Sequence, residues 1–264
     1  MEMQHPEVLD RIAVILVRPT GDGNVGQVAR AMRNFGLSRL ILIDPPDLDT
    51  ELARKMATRS YDLVENAEVY DTLSEALQDF HFVAGTSRRL GRFRRRFCTS
   101  QALPQWLLPQ MGADNRAALV FGNEVNGLSM EEMDLCNQLV EVETDPAHRS
   151  LNLAQAVVIV AYELFSHAAE TPADTDAYTP ADHKTMESMY EHMRRIYLEI
   201  GFLDDDNPER IIRALRRLYS RAAPDDREVR ILRGILQDTE WYLNRVAKKG
   251  VRDGHREMAR DGES

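Results

Sequence analysis

The chain has 264 residues, of which 43% are hydrophobic and 29% are charged, a composition typical of a folded globular protein. Two cysteines are too few for a disulfide framework or a four-thiolate zinc site. The N-terminus lacks a basic leader, and no apolar run reaches the roughly 18 residues of a membrane span, so we expect a cytoplasmic protein with no membrane partner. The net charge of −10 argues against a nucleic-acid partner, although arginines are concentrated in residues 88–96.

Apolar runs and amphipathic segments alternate along the first 170 residues. Strands are predicted at 12–17, 40–43, 67–70, 81–85, 117–121 and 139–143. Helices are predicted at 25–36, 50–60, 73–79, 129–136 and 151–168, the last of these apolar on nearly every side and with Ser150 as its N-cap. The alternation predicts an α/β domain with a mainly parallel sheet over residues 1–170.

Ligands of such sheets bind where the strands end. We therefore expect a binding site formed by loops 18–26, 86–96, 122–128 and 144–150.

The composition changes after residue 170. Residues 171–181 are rich in Pro, Thr, Asp and Ala and predict a linker. Residues 182–248 predict a small all-helical module of three helices, and residues 249–264 a flexible tail. One face of the second helix carries arginines at helical spacing, at Arg210, Arg213, Arg217 and Arg221.

A glycine pattern, Gly21-x-Gly23-x-x-Gly26, follows the first strand and opens the first helix. With Asp44 beyond the next strand, it matches the dinucleotide-binding fingerprint. An NAD-dependent oxidoreductase is therefore one alternative. It is the weaker one, because NAD binding gives no reason for the glycine-containing loops further along the chain.

Three segments occur in order, at 24–36 (NVGQVARAMRNFG), 119–129 (LVFGNEVNGLS) and 150–157 (SLNLAQAV). Together they resemble the three motifs of the SpoU (TrmH-type) RNA ribose 2′-O-methyltransferases of the SPOUT class. The third motif, followed by Ala161-Tyr162-Glu163-Leu164, is most similar to the TrmJ-like branch.

The resemblance implies a deep trefoil knot in the α/β domain, S-adenosylmethionine as cofactor and a homodimer. It implies methyl transfer to a ribose 2′-hydroxyl of tRNA, at a cytidine or uridine on the 5′ side of the anticodon loop, position 32. A ribosomal RNA 2′-O-methyltransferase is the closest alternative.

The resemblance also assigns residues. Catalytic roles fall on Arg30, Glu124, Ser150 and Asn152. The cofactor pocket is expected from Thr86, Ser87, Arg88, Gly122, Gly127, Val142, Arg149, Ser150 and Leu151. RNA contacts are expected from Asn24, Arg30, Arg92, Arg94, Arg95 and Arg96, and no metal ligand is expected. Because a guanidinium is always protonated, Arg30 should hold a phosphate and stabilise a developing alkoxide.

The arginine-rich segment 88–96 generates the first prediction. Changing Arg92, Arg94, Arg95 and Arg96 to alanine should weaken tRNA binding whatever the RNA sequence, since each contact neutralises a phosphate. A salt titration of tRNA affinity should show a slope shallower by up to about one unit per lost contact. Equal affinities with parallel slopes would contradict an RNA role for this segment.

Overall fold

The computed structural model describes residues 6–87, 97–145, 147–148, 150–168, 178–203 and 206–261, with the backbone alone described beyond residue 246. The chain divides into two compact units, Met1–Lys184 and Thr185–Ser264.

The first unit is built on a seven-stranded sheet in which every pairing is parallel. The strands are β1 Ile12–Val17, β2 Arg39–Ile43, β3 Glu68–Tyr70, β4 Phe82–Thr86, β5 Phe97–Thr99, β6 Ala117–Phe121 and β7 Gln138–Glu141. Their order across the sheet is β3-β2-β1-β6-β4-β7-β5. All carboxyl ends therefore lie along one edge, and β6, β4 and β7 are neighbours there.

Helices cover both faces of this sheet, as a parallel sheet requires. They are α1 Asp22–Asn34, α2 Glu51–Ala57, α3 Tyr61–Glu65, α4 Leu73–Ala76, α5 Leu103–Leu107, α6 Met130–Asp134 and α7 Leu153–Ala168, with 3-10 turns at Glu7–Arg11, Thr58–Ser60, Ser100–Ala102 and Leu108–Gln110. Every residue of β1 is buried. Val14 and Leu16 pack in a core with α1 and α7, whereas Ala13 and Ile15 face a second core on the other side. The continuous apolar run of β1 follows from this two-sided burial.

The second unit is helical, with α8 His183–Glu199 starting at its boundary, then α9 Glu209–Ala222 and α10 Asp226–Asp261. Arg216 of α9 forms an ion pair with Glu187 of α8, and its guanidinium lies 4.6 Å from the centre of the Tyr190 ring. Burial raises the pKa of Tyr190 above its usual value. Of the predicted arginine face, Arg210 and Arg221 are exposed, whereas Arg213 and Arg217 are half-buried.

The mainly parallel α/β domain and the helical module were both predicted correctly. One strand and two α-helices were missed, β5, α3 and α5, each of which has only three to five residues. Helix α10 continues to Asp261, beyond residue 248 where we expected it to end.

The glycine pattern serves helix packing. A Cβ at Gly26 would lie 2.5 Å from the carbonyl oxygen of Ala53 and 3.0 Å from the amide nitrogen of Ala57, both in the backbone of α2. A Cβ at Gly23 would meet the side chain of Leu52 at 3.2 Å. The pattern that resembles a dinucleotide fingerprint thus lets α1 and α2 approach closely, so it does not require a phosphate ligand to explain it.

This packing predicts different costs for the same substitution at two glycines of one helix. Gly26→Ala should destabilise the first unit by about 1–3 kcal/mol, because backbone atoms cannot move aside. Gly23→Ala should stay within about 1 kcal/mol of the wild type, because the half-exposed Leu52 can rotate and alanine favours a helix.

Urea denaturation in a Trp241→Phe background measures this difference, since Trp106, packed on Phe82, then reports alone on the first unit. Equal destabilisation by the two alanines would contradict the packing argument.

Candidate active site

A pocket opens at the carboxyl ends of β4, β6 and β7. Its lining combines Thr86 and Ser87 at the end of β4, residues 121–128 from the last residue of β6 onward, Val140 and Val142 at β7, and Ser150, Leu151, Leu153 and Ala156 around the start of α7. The end of β4 is held to its neighbours: Thr86 Oγ1 donates to the carbonyl of Val120 at 3.2 Å, and the Ser87 amide donates to Val140 at 2.9 Å. The pocket therefore lies where a parallel sheet places its ligands.

Most residues that sequence reasoning assigned to a cofactor line this pocket. They are Thr86, Ser87, Gly122, Gly127, Val142, Ser150 and Leu151. Arg88 and Arg149 lie outside the described residues. Sequence reasoning did not assign Leu128, Val140, Leu153 and Ala156, which add apolar walls. For Val140, Leu153 and Ala156 the signal was the apolar runs of β7 and α7, which we interpreted only as core, whereas Leu128 belongs to the second sequence motif.

The loop after β6, residues 122–128 (the motif-two loop), is closed by hydrogen bonds among its own residues. The amide of Gly127 donates to the carbonyl of Asn123 at 2.7 Å, and Asn123 Oδ1 accepts from the amide of Val125 at 2.8 Å. Gly127 has a φ of +68°. A Cβ at Gly122 would lie 2.2 Å from backbone atoms of Gly127 and Leu128. Gly122 is therefore required for closure of the loop, and it also lines the pocket.

The carboxylate of Glu124 joins this loop to the β1–α1 region. Its Oε2 accepts hydrogen bonds of 2.9 Å from the amide and from Oγ1 of Thr20, and its Oε1 accepts one of 2.9 Å from Asn24 Nδ2. Burial alone would raise the pKa of Glu124, but the hydrogen bonds from Thr20 and Asn24 hold it below its ordinary value. The carboxylate is thus ionised at neutral pH and orders the loop.

Asn24 also contacts Asn152, the residue that precedes α7. Its Oδ1 accepts a hydrogen bond of 2.9 Å from Asn152 Nδ2, and Asn152 Oδ1 accepts from the amide of Ala154 at 2.8 Å. Gln155 Oε1 accepts from the amide of Asn152 at 3.2 Å, which completes a reciprocal cap. The structure brings together Asn24, Glu124 and Asn152, one residue from each of the three sequence motifs.

This cap corrects one expectation about α7. Asn152 and not Ser150 caps the helix, which begins at Leu153. The reason is the spacing, because Asn152 and Gln155 supply both halves of a cap at its start. Ser150 is exposed and lies at the pocket instead.

Arg30 lies on the exposed face of α1, and it is not among the residues that line the pocket. Its position is six residues after Asn24, which turns it about 120° away from Asn24 around the helix. Among the described residues no acidic side chain forms an ion pair with Arg30. Its guanidinium is thus free to meet an anion. Arg92, Arg94, Arg95 and Arg96 lie outside the described residues.

Within the described ranges, no three His, Cys, Asp or Glu side chains group as metal ligands would. No helix in that part of the chain is both long and apolar enough to cross a membrane.

Family models match both parts of the chain. The model described as the SpoU rRNA Methylase family matches residues 11–162, and the model described as the C-terminal domain of the tRNA methyltransferase TrmJ matches residues 184–251.

Relatives and solved structures match most of the chain. The tRNA (cytidine/uridine/adenosine-2′-O-)-methyltransferase TrmJ of Pseudomonas aeruginosa is 37% identical over 92% of this chain and 98% of its own. The tRNA (cytidine/uridine-2′-O-)-methyltransferase TrmJ of Salmonella choleraesuis is 36% identical over 88% of this chain and 98% of its own. The crystal structure of TrmJ from Z. mobilis superposes with a TM-score of 0.76 at 31% identity, covering 86% of this chain and 98% of that one. The chain therefore belongs to the SpoU methylase family, as its three motifs predicted, and it continues into a segment that matches the TrmJ C-terminal domain.

Proposed function

We propose that this protein transfers a methyl group from S-adenosylmethionine to a ribose 2′-hydroxyl of tRNA. The observation that carries the proposal is the convergence of Asn24, Glu124 and Asn152 beside a pocket at the ends of β4, β6 and β7. The named activities of the relatives, which match nearly the whole chain, support the same reaction.

The pocket suits S-adenosylmethionine by its chemistry. Apolar side chains, among them Leu128, Val142 and Leu151, can enclose a flat heteroaromatic ring. Hydroxyls of Thr86, Ser87 and Ser150, with the backbone of the motif-two loop, can bind ribose hydroxyls and an amino-acid end. When bound, the cofactor supplies an electrophilic methyl group. The sequence adds Arg88 and Arg149 to this proposed site.

The chain contributes to the reaction by positioning the ribose oxygen and by stabilising the negative charge that develops on it. In-line displacement needs the ribose oxygen held in one place, so the groups that contact it must be rigid. In this proposal Arg30 holds a substrate phosphate and stabilises the developing alkoxide, because its guanidinium stays protonated. The proton of the 2′-hydroxyl passes to solvent water. Ser150 contacts the reacting groups directly, and Asn152 and Glu124 keep the surrounding loops in place.

The substrate we favour is a cytidine or uridine on the 5′ side of the tRNA anticodon loop, at position 32. The relative from Salmonella choleraesuis, which is named for cytidine and uridine alone, supports this base preference, whereas the name of the Pseudomonas aeruginosa relative adds adenosine. Arg92, Arg94, Arg95 and Arg96, with Asn24 and the arginine face of α9, are proposed to contact RNA. Ribosomal RNA is the alternative, and mapping of the methylated nucleotide separates the two.

A homodimer completes the proposal. On α7, Leu164 and Val157 are buried in the core, whereas Val158 is 39% and Tyr162 54% exposed. Tyr162 stacks edge-on against Phe35 of the α1 end, with ring centres 5.9 Å apart, so an apolar surface spans both helices. Such a surface supports burial against a second copy.

A deep trefoil knot in the α/β domain, a cytoplasmic location and a linker at 171–181 stay predictions. Residues 171–177 of that linker lie outside the described residues.

The proposed reaction is tested with isotope-labelled S-adenosylmethionine, bulk tRNA and ribosomal RNA, followed by mapping of the labelled nucleotide. We expect label on a ribose oxygen in the tRNA anticodon loop.

In the same assay Arg30→Ala should slow transfer by about 100-fold or more, because a donor to the developing charge is lost. Calorimetry should show nearly unchanged cofactor affinity, since Arg30 does not line the pocket.

Arg33→Ala is the matched control on the same helix. Arg33 forms an exposed ion pair with Asp62, which contributes little, so its removal should leave turnover unchanged. Lost cofactor binding with intact RNA binding in Arg30→Ala would mean that the role of Arg30 is misassigned.

The dimer predicts a mass near twice the 30.1 kDa of the chain in light scattering. The double variant Val158→Asp with Tyr162→Asp should shift the protein to the monomer mass, because buried unpaired charges are costly at an interface. Val69→Asp, at a 60% exposed position on β3, serves as control and should leave the mass unchanged. A monomeric wild type at micromolar concentration would overturn this assembly.

A further inference from the structure

The β1–α1 turn, residues 18–21, contacts the motif-two loop at two points. Asn123 Nδ2 donates a hydrogen bond of 2.7 Å to the carbonyl oxygen of Arg18. Thr20 donates twice to Oε2 of Glu124, from its amide and from its hydroxyl, at 2.9 Å each. The loop is therefore held from outside as well as by its own hydrogen bonds.

The turn that presents Thr20 is itself tightly constrained. Arg18 has a φ of +46°, a conformation that is uncommon without glycine and persists where the surroundings impose it. Its amide donates to the carbonyl of Ile43 in β2 at 2.8 Å, and its guanidinium forms an ion pair with Glu132 in α6. Pro19, which follows, is buried and has a fixed φ. Thr20 is consequently presented in one position.

Glu124 fixes the orientation of two amides. An ionised carboxylate only accepts hydrogen bonds, so Asn24 must turn its Nδ2 toward Glu124 and its Oδ1 toward Asn152. Asn152 must then turn its Nδ2 toward Asn24 and its Oδ1 toward the first amides of α7. Thr20 supplies both donors to Oε2 of the carboxylate on which this order depends.

We propose that Thr20 is a positioning residue for methyl transfer, an inference that rests on the proposed function. Thr20 does not line the pocket. It acts through Glu124, which sets Asn24, Asn152 and the start of α7 beside the pocket. A small displacement of groups that align reacting atoms costs turnover far more than binding.

The experiment compares Thr20→Val, which keeps the shape and removes the hydroxyl, with Thr20→Ser, which keeps the donor. Methyl transfer to bulk tRNA gives kcat and KM, calorimetry gives the affinity for S-adenosylmethionine, and thermal unfolding gives Tm. We expect kcat of Thr20→Val to fall about tenfold, with KM for tRNA and cofactor affinity within about threefold. Thr20→Ser should recover most of kcat.

Thr239→Val is the matched control. Its hydroxyl donates to the carbonyl of Ile235 within α10, in the other unit, so kcat should not change. Wild-type kcat in Thr20→Val would overturn the positioning role and leave the proposed function intact. A fall in kcat matched by a large fall in Tm, or one that serine does not recover, would also overturn it. A wild type that methylates no RNA would overturn the proposed function, and this inference with it.

Discussion

The constraint on which the site depends is that an ionised carboxylate accepts hydrogen bonds and cannot donate them. Glu124 is half-buried between three donor groups, from Thr20 and Asn24, and this environment keeps its pKa low. The charge orients Asn24, and Asn24 orients Asn152 at the start of α7. Segments about 100 residues apart in the chain are thereby held in one arrangement, and the sheet edge contributes the rigid support beneath them.

Much of the architecture could be predicted from local pattern because its cause is local. The apolar run of β1 has that composition since both faces of the strand are buried, and β6 is apolar for the same reason. β5 was not found, because its three half-buried residues directly follow the arginine-rich segment that we expected to be a loop. The order β3-β2-β1-β6-β4-β7-β5 could not be found either, since strand order depends on contacts between distant segments.

The candidate site shows a similar division. The resemblance to the family predicted many residues of the pocket. The hydrogen bonds among Asn24, Glu124 and Asn152 could be seen only in the structure. Ser150 was expected to cap α7 because serine favours that position, but Asn152 with Gln155 forms a better reciprocal pair.

The glycines of α1 show how one pattern serves two purposes. Small residues at this spacing let a backbone approach either a phosphate or another helix, and here Gly26 meets α2.

The pairing of β1 with β6 has a consequence for synthesis of the protein. Ile12 lies beside Ala117, so β1, an interior strand of the sheet, can complete its pairing only after β6 leaves the ribosome, roughly 100 residues later. If β1 and β2 pair before β6 emerges, the open edge of β1 is apolar, and exposed apolar strand edges favour aggregation. Nascent chains of this protein should therefore be clients of ribosome-associated chaperones until β6 has emerged.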